Sequence, residues 1–254
     1  MKKFKINSNR SIGRVLFIVE GLRTEFYILK KIFAGLFDYT YEKLDRNNRY
    51  WKYTSKANPN SSVFAINPEE SNLSHINSAN EYLDNIFLSL IETYDFPVDK
   101  ASIFYIFDRD PNSTKSSLTL ELLNRLQNSR DNGMERQGLL LLSYPSIESY
   151  TASNFISESC GMSFQLGSEL KKYLNHEKII QNKIDHDSII FATREMFNYF
   201  GKESIVFDSL DDFGKTNLQV FNVQEDFHQK NNAYRLLSLL SIAFLDLGLI
   251  EIYN

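Results

Sequence analysis

The chain has 254 residues, of which 43% are hydrophobic and 14% aromatic, a composition that allows a sizeable core and excludes a disordered protein. Its formal net charge is −4, which excludes an autonomous, strongly basic nucleic-acid binder. Nucleic-acid chemistry itself stays open, because bound metal ions neutralise both carboxylates and phosphates.

Apolar runs that suit buried strands alternate with amphipathic stretches up to about residue 150. The predicted strands are Arg14–Val19, Ser62–Ile66, 102–107 and 138–142. The predicted helices are 24–36, 78–94 and one that carries Leu118, Leu122, Leu123 and Leu126. This alternation predicts an α/β fold with a doubly wound parallel sheet flanked by helices.

Beyond Tyr150 the pattern becomes helical. Helices are expected at 164–174, 187–200 and 231–247, with no clear strand between them. We therefore divide the chain into an α/β domain and a mainly helical C-terminal region that packs on it or mediates contacts. Their bounds are 1–155 and 156–254.

Three further features of the sequence bear on where in the cell the protein is expected. The single cysteine, Cys160, excludes an intrachain disulfide and gives no zinc site, so we expect a reducing, cytoplasmic location. The basic start of the chain is not followed by an apolar segment, so no signal peptide is expected. The apolar stretch 236–250 is interrupted by Ser238, Ser241 and Asp246, which favours a core helix or a dimer surface over a membrane span.

Two of the predicted strands end in carboxylates. Glu20 and Gly21 follow the first strand, and Asp108 and Asp110 follow the strand at 102–107. In open α/β sheets the ligand crevice lies outside the carboxyl ends of the strands, and oxygen-only ligands suit Mg²⁺, Mn²⁺ or Ca²⁺. Glu25, in the first turn of the next helix, is either a helix-dipole residue or a further ligand.

The two aspartates allow two interpretations. If their strand continues, Asp108 and Asp110 lie on one face, about 6.5 Å apart along the backbone, and a divalent ion fits between them. The alternative is an ordinary junction between a strand and a turn.

A third acid follows the strand at 138–142. Glu148 lies in the block Ser143-Tyr144-Pro145-Ser146-Ile147-Glu148-Ser149-Tyr150. By itself this block also fits the start of a helix, with proline and serine at early positions and an acid in the first turn.

Taken in order, these motifs resemble a known family. Glu-Gly-x-x-Thr-Glu at 20–25, the Asp-x-Asp at 108–110 and Ser-x-Pro-x-x-Glu at 143–148 resemble RloB-like proteins of the TOPRIM superfamily, near the nucleases of the overcoming-lysogenization-defect (OLD) type. The resemblance covers roughly residues 14–155. It implies a Rossmann-like TOPRIM sheet, cleavage of phosphodiester bonds in DNA or RNA with Mg²⁺ or Mn²⁺, and a role in antiphage defence, often beside an ATPase partner.

The resemblance also implies roles for single residues. Glu20 would be a metal ligand or a general acid/base, Asp108 and Asp110 would bind metal, and Glu148 would complete a second metal position. A two-metal site stabilises both the attacking and the leaving oxygen of an in-line displacement. Four cations are candidates for contacts to the scissile phosphate: Arg23, Arg109, Lys171 and Lys172.

Two other functions remain open at this point. One is a non-catalytic TOPRIM-fold interaction or sensor subunit of a defence complex, and the other is a different Asp-x-Asp enzyme, such as a phosphotransferase or a glycosyltransferase. No Walker-type phosphate loop is present, so the chain is not expected to hydrolyse ATP itself. The run Tyr50-Trp51-Lys52-Tyr53 predicts an edge strand, a packed loop or an aromatic surface on which bases stack. A homodimer is a further possibility.

Overall fold

The structure is a computed structural model that describes residues 2–68, 78–98, 101–111, 115–130 and 138–253. Its strands, in chain order, are β1 (Lys3–Ile6), β2 (Arg14–Val19), β3 (Tyr39–Lys43), β4 (Tyr50–Ser55), β5 (Ser62–Ile66), β6 (Ala101–Asp108), β7 (Gln127–Asn128), β8 (Gly138–Tyr144), β9 (Ser163–Phe164), β10 (Tyr234–Arg235), β11 (Leu237–Ser238) and β12 (Ile250–Tyr253). Its helices are α1 (Thr24–Phe33), α2 (Ala79–Glu92), α3 (Ser116–Arg125), α4 (Glu148–Phe155), α5 (Gly167–His176), α6 (His186–Lys202), α7 (Phe213–Asn231) and α8 (Leu240–Asp246).

The chain folds into two compact units, each made of separate stretches of sequence. The amino unit comprises Ser11–Ile106 and Pro111–Leu140, and the carboxyl unit comprises Met1–Arg10, Phe107–Asp110 and Leu141–Asn254. β6 and β8 each begin in the amino unit and end in the carboxyl unit. The division at residue 155 inferred from the sequence stays a prediction.

The amino unit is built on a mixed sheet. β2 pairs in parallel with both β5 and β6, whereas β4 pairs antiparallel with β5, and β3 antiparallel with β4. The α/β class with flanking helices is thus confirmed, but the sheet is not wholly parallel. The reason is local: Asp45 accepts hydrogen bonds from the backbone N–H groups of Arg49 and Tyr50, which closes a short turn and makes β3 and β4 a hairpin.

The core of the amino unit follows the apolar runs of the sequence. Val15 to Val19 of β2 are fully buried, as parallel strands covered on both faces require. The ring of Phe17 lies 5.4 Å from that of Phe104 in β6 and 5.8 Å from that of Phe33 in α1. These contacts hold the ends of β2 and β6 side by side, with Val19 opposite Ile106.

The carboxyl unit contains helices and short antiparallel strand pairs. β1 pairs with β12, β9 with β10, and β11 with the end of β8. The helix predicted at 187–200 is confirmed as α6. The expectation that no strand separates the helices of this region was wrong, because the short strands found here are set by pairing with distant segments, which local periodicity does not reveal.

The prediction of one helix at 231–247 was also wrong. Asn232 adopts a left-handed backbone conformation, with φ of 52°, and so ends α7. Leu237 then pairs with Tyr144 of β8, and only α8, of 7 residues, is helical in the apolar stretch that was expected to form one core helix. Among the described residues, no helix has both the length and the apolar character needed to span a membrane.

Candidate functional site

The end of β6 is tied to the start of α4 by a hydrogen bond from backbone to side chain. Asp108, the last residue of β6, accepts a 2.7 Å hydrogen bond through Oδ1 from the backbone N–H of Ile147. Ile147 occupies the N-cap position of α4, and Glu148 is the first helical residue. Because unpaired N–H groups at a helix start favour carboxylates, Asp108 holds this helix start at the strand end. Two of the predicted acids are thereby brought to one place in the carboxyl unit.

Two serines of the 143–150 block position Glu148. The Oγ of Ser149 donates a 2.6 Å hydrogen bond to the carbonyl oxygen of Tyr144, across the turn that joins β8 to α4. The Oγ of Ser146 donates a 2.9 Å hydrogen bond to Oε2 of Glu148. The side chain of Glu148 is 12% exposed, so its carboxylate is held rather than free to rotate in solvent.

Lys171 of α5 lies beside Glu148. Its Nζ is 3.9 Å from Oε1 of Glu148, and its side chain is 63% exposed. An ion pair this long and this exposed is weak, so the ammonium group can turn toward another anion at little cost. Among the four cations named from the sequence, Lys171 is therefore well placed to contact an anion next to a predicted acid.

Arg109, by contrast, is a buried structural residue. It is 2% exposed, and its Nε and Nη2 donate hydrogen bonds of 2.8 and 3.0 Å to the two carboxylate oxygens of Glu225 in α7. Such a bidentate pair is among the strongest hydrogen-bonded arrangements in proteins. Arg109 is thus committed to Glu225, and we exclude it as a contact to a phosphate.

A tyrosine completes this buried pair. The hydroxyl of Tyr234 donates a 2.9 Å hydrogen bond to Oε1 of Glu225, and the guanidinium carbon of Arg109 lies 5.5 Å from the centre of the Tyr234 ring. Burial raises the pKa of Tyr234, with Arg109 opposing and Glu225 adding to the shift, so the hydroxyl stays protonated and remains a donor. Sequence reasoning missed Glu225 and Tyr234, because nothing local to either marks a partner more than a hundred positions away.

Asp110 is placed by the same network. β6 ends at Asp108, so the spacing expected along a continuing strand does not apply to the two aspartates. The backbone N–H of Arg109 donates to the carbonyl oxygen of Ser143 at 2.8 Å, and Nη1 of Arg109 donates to the carbonyl oxygen of Asp110 at 3.3 Å. The backbone of Asp110 is therefore fixed, and its side chain is half-buried.

The two remaining acids lie in the amino unit. Glu20 follows β2, and its carbonyl oxygen accepts a 2.7 Å hydrogen bond from Nδ2 of Asn67. Glu25 is 5% exposed, and its Oε1 accepts a 2.9 Å hydrogen bond from the backbone N–H of Gly21. A Cβ at position 21 would lie 2.5 Å from the Glu25 carboxylate oxygens, so any larger residue in this turn would displace that carboxylate.

The donor chemistry of the Asp108 and Glu148 region suits a hard divalent cation. Within the described ranges, which include all of the predicted acids, no three His, Cys, Asp or Glu side chains are grouped closely enough to enclose an ion. Mg²⁺ seldom requires such a group, because it commonly binds one or two carboxylates, several waters and the phosphates of its substrate. Asp108 and Glu148 provide two carboxylates at this helix start.

Comparisons of the chain with known proteins identified no relative. No family model matches the chain, and neither does any curated protein or solved structure. The resemblance to RloB-like proteins therefore rests on the three acidic motifs alone.

Proposed function

We propose that the protein is a metal-dependent nuclease of TOPRIM type, which hydrolyses phosphodiester bonds of DNA or RNA. One observation carries the proposal: the hydrogen bond between Asp108 and the backbone of Ile147 joins the acid at the end of a buried strand to a helix that begins with a second acid. This supports a metal site because ligands of open α/β sheets bind outside the carboxyl ends of the strands, and Mg²⁺ is usually bound by one or two carboxylates together with substrate phosphates.

In this proposal Asp108 and Glu148 hold Mg²⁺ or Mn²⁺, with Asp110 as a further oxygen donor. A bound Mg²⁺ or Mn²⁺ would supply Lewis-acid chemistry at the phosphate and would activate a water molecule for attack. Lys171 contributes a positive charge beside Glu148, where it can pair with a phosphate oxygen of the substrate. As expected from the sequence, Glu20 is a metal ligand or a general acid/base, and Glu25 is a further metal ligand. Substitution of each residue tests its role.

The biological role is proposed from the resemblance to RloB-like proteins. The protein would be a cytoplasmic effector of antiphage defence that acts on nucleic acid, with an ATPase partner and a homodimer as its possible protein contacts. Co-purification of the tagged chain from its natural host, followed by mass spectrometry and light scattering, would test the two protein contacts.

The decisive experiment separates the charge of the two acids from their hydrogen bonds. In Asp108→Asn and Glu148→Gln the amide oxygen still accepts from Ile147 or Ser146, but the negative charge is gone. We expect both variants to unfold at the temperature of the parent protein, to lose binding of Mn²⁺ measured by calorimetry, and to lose cleavage of labelled DNA and RNA. Asp208→Asn, at an exposed loop position, is the matched control.

A second function is favoured by the hydrogen bonds that two of the predicted acids already make within the protein. In that case Asp108 only caps α4, Glu25 only caps Gly21, and the chain is a non-catalytic binding subunit. The same measurements on the parent protein distinguish the two functions, because a binding subunit without a metal site should bind no Mn²⁺ and cut neither DNA nor RNA.

A further inference from the structure

One surface of the amino unit alternates aromatic rings with cations. The Nζ of Lys30 lies 4.2 Å from the centre of the Tyr41 ring, and the Nζ of Lys43 lies 5.3 Å from the Trp51 ring. The rings of Tyr41 and Trp51 are themselves 5.0 Å apart. We call this surface the aromatic–basic face, and it consists of Arg23, Tyr27, Lys30, Tyr41, Lys43 and Trp51.

The fold makes this face rigid. Tyr41 pairs with Tyr53, and Lys43 pairs with Trp51, across the β3–β4 hairpin, so these alternate residues share one side of the strands. That side packs on α1, where the Phe26 ring lies 4.8 Å from Trp51. The rings are thus held in place before any ligand arrives, which lowers the entropy cost of binding.

Two adjoining concavities open on this face, and Tyr27 lines both. One has a volume of about 400 Å³ and the other about 340 Å³. The larger one is lined by Leu22, Arg23, Tyr27, Asn47, Asn48 and Trp51. The smaller one is lined by Tyr27, Lys30, Lys31, Ala34 and Gly35. Tyr27 is 44% exposed, so part of its side chain faces solvent.

The acidic side chains near the β3–β4 hairpin contact partners that are not cations of this face. Asp45 caps the hairpin turn, Asp38 pairs with Lys56, and Glu42 pairs with Lys52. Across the part of the chain that the structure describes, by contrast, no carboxylate forms an ion pair with a cation of the aromatic–basic face. The face itself thus carries three cations and no acid, on a chain whose net charge is −4.

We propose that the aromatic–basic face binds single-stranded nucleic acid, with phosphates at its cations and a base stacked on the exposed side chain of Tyr27. Every base has an aromatic face, and a groove that combines cations with exposed rings is the usual single-strand platform. A duplex fits poorly, because its bases are already stacked inside the helix. The inference rests on the proposed nuclease function and narrows its substrate to unpaired strands.

The position of the face suits that role. Leu22 and Arg23 line the larger concavity only two and three positions after Glu20, the predicted acid at the end of β2. A strand bound across Tyr27 and Arg23 therefore passes the carboxyl end of β2. Among the four cations named from the sequence, Arg23 is then a binding residue for the strand.

The single tryptophan of the chain provides a direct readout, because Trp51 lies in the face itself. The full chain is titrated in EDTA with oligo(dT) and oligo(U) of about 15 nucleotides, a length that matches common single-strand sites. We expect quenching of tryptophan fluorescence and an affinity that falls with salt, with a log–log slope of about −2 for three cations. A duplex of equal length should bind at least about tenfold more weakly.

Substitutions locate the binding on the face. Tyr27→Ala should weaken binding roughly 5- to 150-fold, whereas Tyr27→Phe keeps the ring and should bind like the parent protein. Lys30→Ala should reduce the salt slope by about 0.7. The control is Lys56→Ala, an exposed lysine of the same unit that pairs with Asp38, and it should change neither quantity.

Three results would each overturn the inference: no quenching by single strands, equal affinity for duplex and single strand, or equal binding of polyglutamate. Because EDTA removes the catalytic ion, the two proposals fail separately. A chain that binds strands but never cuts them contradicts the nuclease and leaves the face intact. A chain that cuts nucleic acid without any change in tryptophan fluorescence contradicts the face alone.

Discussion

Arg109 and Glu225 form a buried, bidentate ion pair between residues 116 positions apart in the sequence. The pair fixes the residue that lies between Asp108 and Asp110, and so it joins α7 to the end of β6. Removing one partner should lower the free energy of unfolding strongly, because the other partner is then left as a buried charge without a counter-charge.

Glu225→Ala should therefore lower the free energy of unfolding by about 3–5 kcal/mol, measured by urea denaturation. Asp226→Ala, exposed on the same helix, should change it by less than about 0.5 kcal/mol. In Arg109→Met/Glu225→Met the unpaired charge is gone, and much of the loss should be recovered. A loss of less than about 1 kcal/mol in Glu225→Ala would show that water reaches the guanidinium.

Lys171→Ala should separate catalysis from stability. The pair with Glu148 is exposed, so its loss should change the free energy of unfolding by less than about 1 kcal/mol. A cation that stabilises charge on the reacting phosphate is worth on the order of 100-fold in rate, and we expect cleavage to fall by that order. Lys172→Ala, at the next position of α5, is the control; equal losses in both variants would rule out a specific role for Lys171.

Gly21→Ala should destabilise the amino unit. The added methyl group would meet the Glu25 carboxylate, so Glu25 must move and its hydrogen bond to the backbone of residue 21 is lost. We expect a cost of about 1–2 kcal/mol in thermal or urea unfolding. Gly201→Ala, within α6 and with nothing within 4 Å of the added Cβ, should instead stabilise by about 0.5–1 kcal/mol.

Alkaline pH should destabilise the fold in a defined window. Burial, together with the negative charge of Asp95, raises the pKa of Tyr50 from 10.0 to about 12. The folded state therefore holds this proton more tightly than the unfolded state, so the stabilisation is complete below pH 10 and is lost as the pH rises toward 12. Urea denaturation between pH 8 and 12 should show this decline, and Tyr50→Phe should reduce its slope. Tyr253→Phe, at an exposed position, should leave the slope unchanged.

Much of the amino unit could be predicted because its signals are local. The apolar run of β2 and the stripe of Ile28, Leu29, Ile32 and Phe33 on α1 each appear within one element, and the structure has both. The short strands of the carboxyl unit carry no such signal. Leu237 is a strand residue only because Tyr144 lies opposite it, and an apolar pattern by itself favoured a helix there.

In the candidate site, too, some features could be predicted from the sequence and others could not. Asp108 and Glu148 could be named from the sequence because each follows an apolar strand, where a carboxylate is conspicuous. Their link through the backbone of Ile147 could not, since a hydrogen bond across 39 positions leaves no local pattern. Glu225 is the extreme case, because an acid on an amphipathic helix is indistinguishable from a solvated one until its partner is known.

The pairing of β1 with β12 sets an order of assembly during synthesis. The amino unit has all of its residues once position 140 has emerged from the ribosome, and domains generally begin to fold as soon as their chain is available. The carboxyl unit has to wait, because Lys3 finds its partner only at Tyr253. The unit that holds Asp108 and Glu148 is therefore completed last, and in a nascent chain the amino unit can begin to fold before the carboxyl unit has all of its residues.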